Sequence, residues 1–157
     1  MGCYRKILVP IDGSEISARG VEEALRLARD QQAEVRFIYV VDESVIRYDY
    51  SGMADIGELI EIQRKSGRQA TEKAQQRATE LGVKSDAVVR ENVSGRVSDK
   101  IIEEAGNWRS DLIVMGTHGR RGIDHFVLGS TAEAVLRTSP VPVLLLRPPV
   151  QSRAMGR

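Results

Sequence analysis

An α/β fold, with an open five-stranded parallel sheet in the order 3-2-1-4-5 and helices on both faces, is what the sequence predicts. Three observations carry that expectation. Short, solid apolar runs alternate along the chain with longer stretches of helical period. Strands buried on both faces read as runs rather than alternations, which is the parallel-sheet pattern. The third run is the most polar and the fifth contains a proline, and both features belong at sheet edges.

The elements follow in order. The first strand is Ile7-Leu8-Val9-Pro10-Ile11, and Val21, Ala24, Leu25 and Ala28 then keep helical spacing. The second strand is Val35–Val41. Residues 43–57, with Tyr48, Tyr50, Gly52 and Gly57, show no clear period and read as a surface excursion. Ala70, Ala74, Ala78 and Leu81 mark the second helix, and Ala87-Val88-Val89 centres a third strand near 86–93. Val97, Ile101, Ala105 and Trp108 share the next helical face, which makes Trp108 a packing residue. Leu112–Met115 is the fourth strand, Ala132, Val135 and Leu136 mark a fourth helix, and Val143–Leu146 closes the sheet. The pattern is βαβαβαβαβ, and the tail after Pro148-Pro149 reads as frayed. With the third and fifth strands at the edges, right-handed crossovers favour 3-2-1-4-5. A 2-1-3-4-5 order would bury the polar third strand and ranks second.

That order locates a ligand. In open α/β sheets the crevice lies beyond the strand C-termini, where connections diverge to opposite faces. The divergence falls between the first and fourth strands, which are left by Asp12-Gly13-Ser14 and Gly116-Thr117-His118-Gly119. Nine residues later Gly129-Ser130 opens a helix. Glycine lets backbone N–H groups approach a phosphate with no Cβ in the way, and a helix start adds unpaired donors. The competing reading needs no ligand: Ser130-Thr131-Ala132-Glu133 matches a capping box.

The segments Gly116-Thr117-His118-Gly119, Gly129-Ser130-Thr131-Ala132-Glu133-Ala134-Val135 and Pro140-Val141-Pro142-Val143 closely resemble the universal stress protein family. Its ATP-binding branch carries glycine, two residues, glycine, nine residues, glycine and Ser/Thr, and every defined position is matched here. The opening Lys6–Ser14 and Tyr39-Val40-Val41-Asp42 look like the same family's first and second strands. The resemblance implies a single domain over residues 1–157, of the adenine nucleotide alpha hydrolase-like type, with the same 3-2-1-4-5 order. It also implies roles: Asp12 near the ribose and a phosphate-bound metal, Pro10 and Val40 along the adenine. Gly116, Gly119, Gly129 and Ser130 would hold the phosphates, with Met115 and Thr131 adjacent. Family members resembling this one form homodimers through the last strand, here residues 141–147.

Composition narrows the classes. In 157 residues, 23 Lys and Arg face 22 Asp and Glu, a balance that predicts neither a nucleic-acid partner nor a membrane partner. Cys3 is the only cysteine, so a disulfide framework is excluded and the expected setting is the cytoplasm. The run Ile7–Ile11 is too short for a signal peptide, and Met1-Gly2 with Lys6 does not fit myristoylation. His118 and His125 lack a cysteine partner, so no dedicated metal site is expected, and Mg²⁺ would arrive with phosphates. Arg120 and Arg121 are either phosphate contacts or a solvated loop pair. No P-loop and no Gly-x-Gly-x-x-Gly is present, and Asp12-Gly13-Ser14 lacks the Ser-Gly-Gly-x-Asp-Ser pattern of pyrophosphatase-type adenylating enzymes. The expected function is a stress-responsive sensor of ATP, ADP or AMP, not an enzyme beyond weak ATP hydrolysis. The rivals are a hydrolase or adenylyl-transfer enzyme using the same pocket, and a dimerisation module whose pocket stays empty.

Overall fold

The computed structural model describes residues 2–50, 52, 55–118 and 128–148. Five parallel strands, β1 (Lys6–Pro10), β2 (Glu34–Asp42), β3 (Ser85–Asn92), β4 (Leu112–Gly116) and β5 (Val143–Leu146), lie in the order β3-β2-β1-β4-β5. Five helices accompany them: α1 (Glu15–Gln31), α2 (Glu43–Asp49), α3 (Ile56–Glu80), α4 (Val97–Trp108) and α5 (Ser130–Thr138). The polar third strand and the proline-led fifth strand occupy the two edges. Pro142 precedes β5 and its carbonyl accepts from Ile113 N–H at 3.0 Å, so its missing donor costs the ladder nothing.

The two faces of the sheet bury separate cores. Ile7, Val9, Val35, Phe37 and Val41 pack with Leu25 and Ala28 of α1 and Ala74 and Ala78 of α3. Leu8, Ile38, Ile113 and Met115 pack with Ile101 and Ala105 of α4 and Ala132 and Val135 of α5. Trp108 belongs to this second core, and Lys6 Nζ and Arg36 Cζ lie 5.2 and 4.9 Å from its ring centroid. Its role is packing, as its spacing predicts.

Three expectations are corrected. Residues 43–49 form a helix, α2, because Glu43 and Ile46 turn inward together, and Arg47 and Arg64 pair with the Glu43 carboxylate. Of the supposed excursion beyond it, Tyr50, Gly52 and residues 55–57 are described, and Ile56 and Gly57 already belong to α3. Leu136 lies on the outer side of α5, 49 % exposed, and the helix buries Ala132 and Val135 instead. Finally, Ser130 caps nothing. The N-cap of α5 is Gly129, with no side-chain cap bond, and Glu133 pairs with Arg137 at 2.8 Å. The frayed tail lies outside the described residues from 149 onward.

A candidate nucleotide cavity at the split in the sheet

The ladders around β1 end at different heights. Toward β2, pairing runs from Lys6↔Glu34 to Pro10↔Ile38, and Ile11 N–H still donates to Ile38 O at 2.8 Å. Toward β4 it stops at Leu8↔Ile113. Beyond that level β4 continues beside β5 as far as Gly116↔Leu146. The sheet therefore splits between β1 and β4, at the switch point read from the sequence.

A cavity of about 840 Å³ fills the split. Pro10, Asp12, Val40, Met115, Gly116, Gly129, Ser130 and Thr131 all line it. Gly119 lies outside the described residues, as do Arg120, Arg121 and His125. The sequence reading missed Asp42, Val45, Gln63, Leu128 and Glu133, which complete the walls from β2, α2, α3 and the start of α5. Asp42 and Glu133 sat within recognisable motifs, at the end of Tyr39-Val40-Val41-Asp42 and in Ser130-Thr131-Ala132-Glu133, but neither was assigned to the cavity. Gln63 lies on a helix far along the chain and carries no local signal.

Each wall is built from local chemistry. Asp12 Oδ1 accepts from Ser14 N–H at 2.8 Å, and Ser17 Oγ accepts from Asp12 N–H at 3.2 Å. Gly13 takes φ 81°, a left-handed turn that suits glycine. Ser14 then caps α1 by accepting from Ser17 N–H. Asp12 is thus a turn residue and a cavity residue at once.

On β2, alternation turns the N–H and C=O of Val40 to the same side as those of Ile38, toward β1. The last rung from β1 is the one between Ile11 and Ile38. The backbone edge of Val40 consequently meets the cavity, with one donor and one acceptor unpaired among the described residues.

Across the split, Gly129 N–H donates to Thr117 O at 2.8 Å and Glu133 N–H to Gly129 O at 2.9 Å. Between them, the N–H groups of Ser130, Thr131 and Ala132 form the first turn of α5, which has no intrahelical acceptors. All three residues line the cavity, at the positive end of the helix dipole. His118 Nδ1 lies 2.9 Å from Thr117 Oγ1, and its buried Nε2 has no hydrogen-bond partner.

The described wall carries three carboxylates, Asp12, Asp42 and Glu133, and no lysine or arginine. No group of three or more His, Cys, Asp or Glu among the described residues is arranged to hold a metal by itself. Nor is any described helix long and apolar enough to cross a membrane.

Comparison with known proteins gives one answer. The model of the universal stress protein family matches residues 3–147. The universal stress protein MJ0531 of Methanocaldococcus jannaschii is 38% identical over 149 residues, covering 93% of this chain and 84% of its own. A universal stress protein family structure from Burkholderia pseudomallei superposes with a TM-score of 0.77 at 33% identity, covering 92% and 97% of the two chains. More distant structures share the fold. One is a universal stress protein complexed with cAMP (TM-score 0.63, 23% identity, 92% and 97% covered). Another is the Archaeoglobus fulgidus protein complexed with dAMP (TM-score 0.65, 19% identity, 92% and 98% covered).

Proposed function

Since the chain belongs to the universal stress protein family, we propose that its cavity holds an adenine nucleotide and that the protein works as a nucleotide-dependent sensor in the cytoplasm. One observation carries the reading. The unpaired N–H and C=O of Val40 stand on one side of the split, and the unpaired first-turn N–H groups of α5 on the other. A donor beside an acceptor complements N1 and the 6-amino group of adenine. A helix start complements phosphate. Asp12, leaving β1 between them, lines the cavity where the ribose would lie. The cAMP and dAMP complexes of two proteins with this fold support the same ligand class.

The acidic wall favours a ligand that brings a cation with it. Phosphates entering among three carboxylates need a counter-charge, and Mg²⁺ arriving with ATP would supply it, with Asp12 as its protein ligand. The ion would neutralise phosphate charge. Gly116, Gly119, Gly129, Ser130 and Thr131 complete the phosphate side in this reading, with Pro10 and Met115 beside the base and sugar.

A sensor is favoured over an enzyme because the described groups hold a ground state. Fast phosphoryl transfer needs a positioned water and cations that follow the developing charge. Backbone donors that grip substrate and transition state alike give affinity without turnover. The expected hydrolysis rate is orders of magnitude below the roughly 10 s⁻¹ median for enzymes. Incubating the protein with equimolar ATP for hours should leave most of it intact. Turnover above about 1 s⁻¹, abolished by Asp12→Asn, would make the protein an enzyme.

The edge strand β5 is the proposed seat of a homodimer, through residues 141–147. Its outer backbone groups have no partner strand among the described residues, and Leu144 is 38 % exposed there.

A further inference from the structure

Resting on that reading of the cavity, we propose that Asp42 is a specificity-determining residue that admits 6-amino purines and rejects 6-oxo purines, so that the site takes adenylates and excludes inosinates and guanylates.

Asp42 ends β2, two residues beyond Val40 and on the same face of the strand. Its Oδ1 is fully engaged: Ser44 Oγ donates to it at 2.6 Å and Asn92 Nδ2 at 3.0 Å. Asn92, from the neighbouring strand and 1 % exposed, also donates to Gly95 O at 3.1 Å, and its own Oδ1 has no partner. A buried amide with an orphaned acceptor is a cost to folding. What that amide secures is the orientation of the Asp42 carboxylate. No hydrogen bond reaches Oδ2 from the described residues, and Asp42 lines the cavity. The side chain therefore offers the cavity an oxygen that only accepts.

Strand polarity decides which part of a base meets it. Along β2 the N–H of Val40 comes before its C=O, and the chain then runs on to Asp42. A purine meeting both groups sets N1 against the N–H and its 6-substituent against the C=O, on the Asp42 side. An amino group there has two hydrogens, one for Val40 O and one for Asp42 Oδ2. A 6-oxo purine carries a hydrogen on N1 that meets the Val40 N–H, and its O6 would face two acceptors with nothing to donate. Asp42 thus adds a second opposed acceptor to a mismatch the Val40 backbone begins.

Asp42→Asn is the informative variant. Ser44 and Asn92 remain donors, so they hold the new amide's oxygen in the place of Oδ1, and its NH₂ takes the place of Oδ2. The acceptor becomes a donor with little change of shape. Calorimetric titrations of the full chain with AMP, with IMP and with purine riboside 5′-monophosphate, which has only hydrogen at C6, test the proposal. Wild type should bind AMP about tenfold or more tighter than IMP, with the unsubstituted purine between them. Asp42→Asn should shrink the AMP/IMP ratio about fivefold or more, mainly by binding IMP better. An unchanged ratio in a variant with a wild-type circular dichroism melt would overturn the proposal. So would a wild type that binds IMP as well as the unsubstituted purine, a result that needs no variant to fold. In both cases the nucleotide site itself would stand. A wild type that binds none of the three would remove the site and the proposal together.

Discussion

A Cβ on Gly116 would collide with Cγ2 of Ile16 on α1, and a Cβ on Gly129 would come within 2.9 Å of Thr117 O. Neither residue needs glycine for its φ, since neither is among the positive-φ glycines. The sequence motif reads both as clearing space for phosphate. Their geometry assigns them first to close packing of α1 on β4 and of α5 on the segment after β4. That packing role changes the tests. Gly116→Ala should lose about 1–3 kcal/mol to overpacking. Ile16→Ala in the same chain should restore part of it, and urea melts of the four-member cycle would show a coupling near zero if the contact were unimportant. Gly129→Val is expected to abolish nucleotide binding by displacing the start of α5 rather than by touching the ligand, so stability and affinity should fall together. Ser130→Ala leaves the backbone donors in place, and the missing hydroxyl should weaken ATP binding by about 1 kcal/mol, near fivefold. An undiminished affinity in calorimetry would remove Ser130 from the site.

At the scale of elements, α4 is fixed to the sheet by a carboxylate in its core face. Glu104, 2 % exposed, accepts from Arg36 at 2.8 Å and from Arg90 at 2.9 Å, bridging β2 and β3. Arg36 also forks onto Asp86 at 2.8 and 2.6 Å. Glu104→Ala would strand two guanidiniums, one of them mostly buried against Trp108. Because Arg36 keeps Asp86 and Arg90 can reach water, the loss should fall to about 2 kcal/mol, below the usual range for a broken buried pair. A denaturation midpoint like that of wild type would contradict this role. Helices α1 and α3 are joined by a weaker tie. Hydrogen bonding from Arg77 holds the Glu22 carboxyl below its ordinary value. A carboxylate whose folded pKa is depressed stabilises at neutral pH and loses that contribution as pH falls through the folded value. Wild type and Glu22→Gln should therefore differ slightly in stability at pH 7 and converge in acid. Divergence on acidification would reverse the sign and refute the pairing. On β5 the neighbouring leucines divide their work. Leu145 and Val143 pack on the α4–α5 core and Leu146 on the other, while Leu144 is the exposed one. Leu145→Lys would thus damage the core, and Leu144→Lys is the cleaner probe of self-association. Sedimentation at tens of micromolar should show a dimer for wild type and a monomer for Leu144→Lys. A monomeric wild type would count against pairing through this edge.

For the molecule as a whole, the sheet order was legible because it depends on coarse polarity. The charged residues of β3 and Pro142 before β5 leave only the other three strands for the interior. The glycine-bearing side of the cavity was legible too, since turn residues and a helix start are written in consecutive positions. The side that would read a base was not. Val45 and Gln63 reach the cavity from helices whose positions depend on tertiary packing, and Asp42 acquires its orientation from Asn92, fifty residues away in sequence. The α2 helix was hidden for a related reason: its inward turn is set by Arg64 on α3 pairing with buried Glu43, not by apolar period. These long-range contacts meet Gly116 and Gly129 at one cavity, and that convergence supports reading the protein as a nucleotide sensor. Isothermal titration of the folded wild-type chain with ATP and Mg²⁺ tests it most directly. The expected result is saturable binding of one nucleotide per chain with a micromolar-range Kd, about −8 kcal/mol. A well-folded protein that shows no saturable binding under those conditions would contradict it.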